Sequence, residues 1–225
     1  MVSVIIPTYH EERALPGTLE RLFQQAGEYE VLVVDGGSTD RTCDLVAHEA
    51  RVRLLHAPKG RAAQMNRGAA EAQGEWLLFL HADTSLPDGA LARLNASEPD
   101  GSIQAGGFLH RFSGSDWRLR VISFLDNVRC RQSRVIYGDQ AMFVRRSLFQ
   151  ALGGFPDQPI LEDVAFCEKL QAAARPVLFA PPVVTDARKF IRMGIWRSFI
   201  RVLLIILHVQ FRLPILPRVF FQDVR

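Results

Sequence analysis

Cysteine is scarce and scattered in this chain. The three present, Cys43, Cys130 and Cys167, are odd in number, far apart and never in a Cys-x-x-Cys pair. That excludes a disulfide framework and a zinc ribbon, and it fits a reducing compartment. Charge of one sign is also missing. A net +3, from 27 Lys and Arg against 24 Asp and Glu, is too small to indicate a nucleic-acid partner. Long apolar runs are absent. The longest near the C-terminus, Val202 to Leu207, falls far short of the ~20 residues that span a bilayer. The opening "MVSVIIPTYHEE" has no basic n-region, and its apolar run is too short for a secretory signal. The expected place is therefore the cytoplasm, either free or on the inner face of the membrane. Two nucleotide fingerprints are lacking: G-x-x-x-x-G-K-[ST] anywhere, and G-x-G-x-x-G after the first apolar run. A P-loop hydrolase and a dinucleotide-binding dehydrogenase are thereby set aside.

What is present is a series of short apolar runs. Val2 to Pro7, "YEVLVVD", "VRLLH" and Trp76 to Leu80 read as strands buried on both faces. Between the first two, Leu15, Leu19, Leu22, Phe23 and Ala26 recur at helical spacing. A second helix follows "GGSTDRT", with Ser38, Thr39 or Asp40 placed to cap it. Residues 60–73 read as a third, with Gly74 suited to a left-handed cap. The alternation predicts an α/β fold, a mainly parallel sheet flanked by helices. Further on, "IQAGGFLHRF" and "RPVLFAPP" read as strands and "GDQAMFVRR" as an antiparallel one. "DWRLRVISFLDNVRCR", "PILEDVAFCEKLQAA" and Phe190 to Leu213 read as helices.

Ligands of open α/β sheets sit at the carboxyl ends of the strands. Three strands here end in polar clusters: "PTYHEE", "DGGSTD" and "HADT". Asp83 suits a hard cation shared with phosphates, or it caps the turn that follows. His81, on the same strand face, is a ligand, a phosphate contact or a core histidine. Asp35 suits a nucleobase or ribose, or simply a turn ahead of two glycines. Tyr9 could stack on a base. Glu162 and Asp163 offer a general base, or acids that suit a helix N-terminus. Asp139 in "YGDQ" is equally open.

Taken as a set, these segments resemble the inverting family 2 glycosyltransferases. The resemblance rests on "VSVIIPTYHEE", "VLVVDGGSTDRT", "PKGRAAQMNRGAAEAQGEWLLFLHADT", "YGDQAMFVRR" and "GGFPDQPILEDVAFCEKL", in that order. It covers residues 2 to about 185, with "HADT" in place of the usual D-x-D. The resemblance implies a GT-A-type fold, with a nucleotide-sugar-binding half over about 1–95 and an acceptor half over 96–187. Residues 188–225 would be a C-terminal amphipathic helical appendage. It also implies that Pro7, Thr8, Tyr9, Glu11 and Asp35 contact the nucleotide, with Lys59, Gly60 and Arg61 near its phosphates. His10 stands where the family has Asn, and Gly36 where it has a second acid. Asp83, with His81 in the position of the first acid, would hold Mn2+ or Mg2+. Asp163, beside Glu162, would be the general base. The donor would be a nucleotide sugar, by default a UDP sugar.

From Arg188 to Arg225 there are eight basic residues and one acid, Asp223. Trp196, Phe199, Leu203, Ile206 and Leu207 can share one helix face. Such a helix either lies on a membrane, with a lipid-linked acceptor, or packs on the core or on a second subunit as a homodimer. Two other readings stand beside the transferase: a non-catalytic nucleotide-sugar-binding protein and a sugar-phosphate nucleotidyltransferase. The second would open with a Gly-rich basic loop, where this chain has "PTYHEE".

Overall fold

The computed structural model describes residues 1–97, 101–158 and 160–210. The first strands are β1 (Val2–Thr8), β2 (Tyr29–Asp35), β3 (Val52–His56) and β4 (Trp76–Phe79). They alternate with α1 (Leu15–Leu22), α2 (Thr42–Ala47) and α3 (Arg61–Glu71). After β4 come β5 (Thr84–Ser85), α4 (Ala90–Asn95), β6 (Ala105–Phe112), α5 (Trp117–Ser133) and a 3-10 turn at Gly138–Gln140. The chain continues through β7 (Phe143–Arg145), α6 (Arg146–Ala151), α7 (Glu162–Ala173), β8 (Val177–Thr185), α8 (Arg188–Met193) and α9 (Ile195–Gln210).

One sheet runs in the order β3-β2-β1-β4-β7-β6-β8-β5. β1 to β4 are parallel; β7 is antiparallel to both β4 and β6. Alternate residues of each central strand serve opposite faces. Val4, Ile6, Val31, Val33 and Leu78 pack with Leu15, Leu19 and Leu91. Ile5, Leu32, Val34, Leu77 and Phe79 pack with Met65, Ala69 and Phe166. Both faces are covered, which is why these strands read as unbroken apolar runs. On the second face Phe155 sits 4.8, 5.3 and 4.9 Å from the rings of Phe79, Phe149 and Phe166. These edge and tilted contacts add to the area buried.

Local details depart from the sequence reading. α3 stops at Glu71 and leaves through extended Ala72, so Gly74 is not its cap. None of the three candidates ahead of α2 is its N-cap, which is Arg41 with no side-chain cap; Asp40, one residue earlier, accepts at Oδ1 from the Thr42 amide at 3.1 Å. The expected single C-terminal helix is broken at Gly194, whose φ of 88° no helix continues. The stretch from 211 onward, including the end of that expected helix, lies outside the described residues. Among the described residues no helix is long and apolar enough to cross a membrane.

Candidate active site

The carboxyl ends of β1 and β4 form the floor of a cleft of about 540 Å3. Pro7, Thr8, Tyr9 and Glu11 line one side, and Lys59, Gly60 and Arg61 a second. His81 and Asp83 enter from the end of β4, and Asp139 and Lys189 also face in. The floor is rigid for a local reason. Buried Gln64 on α3 donates from Nε2 to Thr8 O at 2.7 Å and to Val34 O at 2.8 Å, joining two strand ends. A side chain at Gly36 would meet Gln64 at 3.1 Å, which accounts for the missing second acid there.

Asp35 lies behind the floor and is almost fully buried. Its Oδ2 accepts from the amides of Gly37 and Ser38, both at 2.8 Å, and its Oδ1 from the Ser38 hydroxyl. Burial opposes ionisation, but the Ser38 and Gly37 bonds outweigh it and hold the carboxyl below its ordinary range. Ser38 in turn accepts from the His10 amide at 2.9 Å. His10 has φ of 56°, a left-handed conformation that Asn and His tolerate better than most residues. That links His10 to the family's Asn. Tyr9 is engaged by its neighbours, with the Lys59 ammonium 3.9 Å from its ring centroid and the His10 ring at 4.1 Å.

Arg61 is the hub of the next cluster. Its Nε pairs with Glu162 Oε1 at 3.0 Å, and its Nη2 donates to His81 Nε2 at 2.8 Å. An arginine only donates, so His81 carries its proton on Nδ1 and is neutral. Burial, then Arg61 and Lys189, push its pKa well below the ordinary value. His81, expected beside Asp83 as a metal ligand, thus presents Nε2 to Arg61 instead. Gly138 lies against this pair, where a Cβ would run into Arg61 Nη2 and come within 2.6 Å of His81 Nε2. Asp163 Oδ2 accepts from the Gly138 amide at 2.6 Å, and its Oδ1 from the Val164 amide at 2.8 Å. Glu162 and Asp163 are buried behind the wall, and Glu162 is tied to Arg61, which lines the cleft. Asp139 faces the cleft itself. Burial raises its carboxyl above the usual range; Asp126 and Asp163 add to that shift, and His110 and Arg129 oppose it.

Asp83 and Glu11 meet at one point. Lys189 Nζ lies 3.1 Å from Glu11 Oε1 and 3.3 Å from Asp83 Oδ2. Burial works against the lysine's charge, but the two carboxylates outweigh it and raise its pKa. Glu11 is held above its ordinary value by burial, in spite of the lysine. Sequence reasoning missed this role of Lys189, and it missed His110, whose ring lies between Asp126 and Asp139 at 3.9 and 3.8 Å. The basic run after Arg188 was the signal available for Lys189. His110 gave none.

Asp35, Cys43 and His56 form a candidate metal-coordinating cluster, their donor atoms within 4.8 Å of one another. It sits where β2 and β3 end, away from Asp83. The Asp35 oxygens are already engaged, and burial, with Asp35 beside it, pushes the Cys43 thiol up to about 11. By contrast, Glu11 and Asp83 offer hard carboxylate oxygens aimed at one positive charge, the donor chemistry that Mg2+ and Mn2+ use alongside phosphate.

The sheet and its strand-end cleft are those of a GT-A-like nucleotide-binding fold. Residues 3–153 match the family described as glycosyl transferase family 2, and the chain belongs to that family. A PGL/p-HBAD biosynthesis glycosyltransferase of Mycobacterium bovis (strain BCG / Pasteur 1173P2) is 36% identical over 171 residues, 69% of this chain and 63% of the relative. An undecaprenyl-phosphate 4-deoxy-4-formamido-L-arabinose transferase of Proteus mirabilis (strain HI4320) is 32% identical over 166 residues, 67% of this chain and 51% of the relative. The chain thus spans 63% and 51% of the lengths of these two relatives. The mannosyltransferase PcManGT from Pyrobaculum calidifontis, solved in complex with GDP-Man and Mn2+, superposes with a TM-score of 0.69 at 24% identity. The match covers 96% of this chain and 65% of that one, a likeness of fold.

Proposed function

We propose that this protein transfers a sugar from a nucleoside-diphosphate donor to an acceptor hydroxyl, with inversion at the anomeric carbon. One observation carries the reading: Glu11 and Asp83 converge on a single positive charge in a strand-end cleft. That point suits Mg2+ or Mn2+, held by Asp83 and Glu11 once Lys189 swings aside. When bound, such an ion neutralises the charge on the diphosphate leaving group. The chain supplies the rest. Lys59 and Arg61 face the diphosphate, and Glu162 fixes the direction of Arg61. Pro7, Thr8, Tyr9 and Gly60 enclose the nucleoside, and Asp35 holds the turn behind it.

The acceptor proton goes to Asp163, by its match to the family's acid pair. A second reading gives that role to Asp139, because Asp139 faces the cleft and Asp163 does not line it. General-base help of this kind amounts to about 10²–10⁴-fold. Asp163→Asn and Asp139→Asn, each assayed for transfer and for donor affinity, separate the two. The base is the residue whose loss removes turnover and spares donor binding. A lipid-linked acceptor and a peripheral position on a membrane's inner face accord with the apolar Met193, Val202 and Ile205 along the cleft. The Proteus relative's name, with its undecaprenyl phosphate, points the same way.

The test is a thermal-shift screen of UDP and GDP sugars with and without Mn2+, followed by donor hydrolysis. One donor should raise the melting temperature in the presence of metal, since ligand binding stabilises the folded state by mass action. Asp83→Asn should remove the metal dependence. Stabilisation without hydrolysis or transfer would leave the non-catalytic binding protein, and no shift with any nucleotide sugar would end the reading.

A further inference from the structure

The large apolar side chains left in solvent are not scattered. Among the described residues, all but Met1 lie on α5, α8 or α9. On α5 they are Trp117, Val121, Phe124 and Leu125, at the i, i+4, i+7, i+8 spacing of one helix face. On α9 they are Trp196, Ile200 and Leu203, at i, i+4, i+7. Trp117 and Trp196 touch edge to face, with centroids 6.3 Å apart, and so join the two stripes. Phe124 is 66% exposed and Ile200 54%.

These helices are nonetheless seated. Leu119 and Ile122 of α5 pack with Ile195 of α9, Phe112 and Ala187. α9 is thus apolar on two sides, one against the protein and one outward. A helix that only covers its own core needs a single stripe, and a contiguous apolar patch on a surface marks an interaction site. The surrounding charge names the partner. Arg188 to Gln210 holds five basic residues and no acid. Arg192 and Arg197 are exposed, as is Arg120 on α5.

We propose that this face docks on an anionic lipid bilayer, with α9 lying in the interface. A second copy of the chain is the poorer occupant, because it would bring two mainly basic faces together, Asp116 and Asp126 at α5 being already paired with Arg118 and Arg129. The consequence rests on the transferase reading above. Arg192, Met193 and Val202 belong both to these helices and to the cleft wall. The cleft would then open beside the bilayer, and an acceptor anchored in lipid would reach it without leaving the membrane.

Flotation of the full chain with phosphatidylcholine vesicles, with and without phosphatidylglycerol, tests this. Binding should be at least about tenfold tighter with the anionic lipid and should weaken in high salt. A Phe124→Glu/Ile200→Glu variant should lose at least about tenfold in vesicle binding. Its melting temperature and donor-induced shift should stay as in the parent, because both positions are exposed and outside the cleft. Arg120→Gln/Arg197→Gln should lose only the preference for anionic lipid. Equal binding to both vesicle types, no binding, or full binding by the Phe124/Ile200 variant overturns the proposal. So does a dimer in light scattering that the same variant disperses. Vesicle binding without any donor shift supports the surface and removes the transferase reading; a donor shift without vesicle binding does the reverse.

Discussion

The two walls of the cleft are built in different ways. The strand-end wall takes its groups from segments pinned by buried backbone: Gln64 joins β1 to β2, and Arg61 is fixed by Glu162 and His81. The helical wall, α8 and α9, presents Lys189 and Arg192 from exposed positions on α8, a helix of 6 residues with none of them buried. Lys189 crosses over, to Glu11 and Asp83. One wall is preorganised for a charge that is always in the same place. The other is held by fewer buried contacts at α8. Preorganised groups are the ones that stabilise a developing charge without reorganising. The largest losses of rate should therefore come from the strand-end wall.

Asp83→Asn should show the largest effect, a loss of transfer of about 10²–10³-fold. Its side chain is not part of the core, so the melting temperature should barely move. Retained metal-dependent turnover in Asp83→Asn would mean that the strand-end wall does not hold the leaving group. Glu162→Gln should come next. It removes the buried carboxylate that pairs with Arg61, and breaking an ion pair at one partner costs about 3–5 kcal/mol where the remaining charge is fully buried. Arg61 is about a third exposed, so water makes good part of that loss. The expected outcome is lower stability together with weaker donor binding, read by denaturant melts and titration calorimetry. A variant that loses neither would show Arg61 to be positioned by His81 alone.

How far the sequence foretold these walls follows from the same contrast. The strand-end wall was legible because β1, β2 and β4 are covered on both faces, so their apolar runs stop where the polar groups begin. Glu11, Lys59, Arg61 and Asp83 do face one cleft. Less legible was how the acids are used. His81 and Arg61 are 20 residues apart, and only the packing of α3 over β1, the strand beside β4, brings them within 2.8 Å. Glu162 read as a helix-dipole acid or as a neighbour of the base. Its contact with Arg61 depends on how α7 lies against the sheet. The helical wall was the least legible. "DWRLRVISFLDNVRCR" announces a helix, but which stripe faces out is decided by β6 and α9. The fold-back that sends Lys189 to Asp83 follows from the chain leaving β8 at Thr185, which no local pattern marks.

Lys189→Gln sharpens the contrast from the other side. Lys189 is 57% exposed, so each of its ion pairs contributes about 0.2–1 kcal/mol after screening by solvent. Its removal should leave the fold intact and tighten Mn2+ binding to the free protein by roughly two- to tenfold, because the ion no longer displaces an ammonium. Manganese electron paramagnetic resonance reads this directly. An unchanged or weaker affinity would show that Glu11 and Asp83 do not bind the ion at the lysine's position.

The smallest expected effect is a pH dependence of stability from His81. Its pKa in the folded protein is depressed by burial and by the nearby cations, while in the unfolded chain it returns to about 6.5. Above that value both states are neutral and the residue adds no pH dependence. As pH falls through the unfolded value, the unfolded state takes up a proton that the folded state refuses, and stability declines. Between pH 7.5 and 6 the decline should be on the order of 1 kcal/mol or less. His81→Gln keeps an acceptor for Arg61 and cannot titrate, so its stability curve should be flatter than the parent's by that amount. Parallel curves would mean that the imidazole is free to protonate in place, and that Arg61 is not pinned against it as the strand-end wall requires.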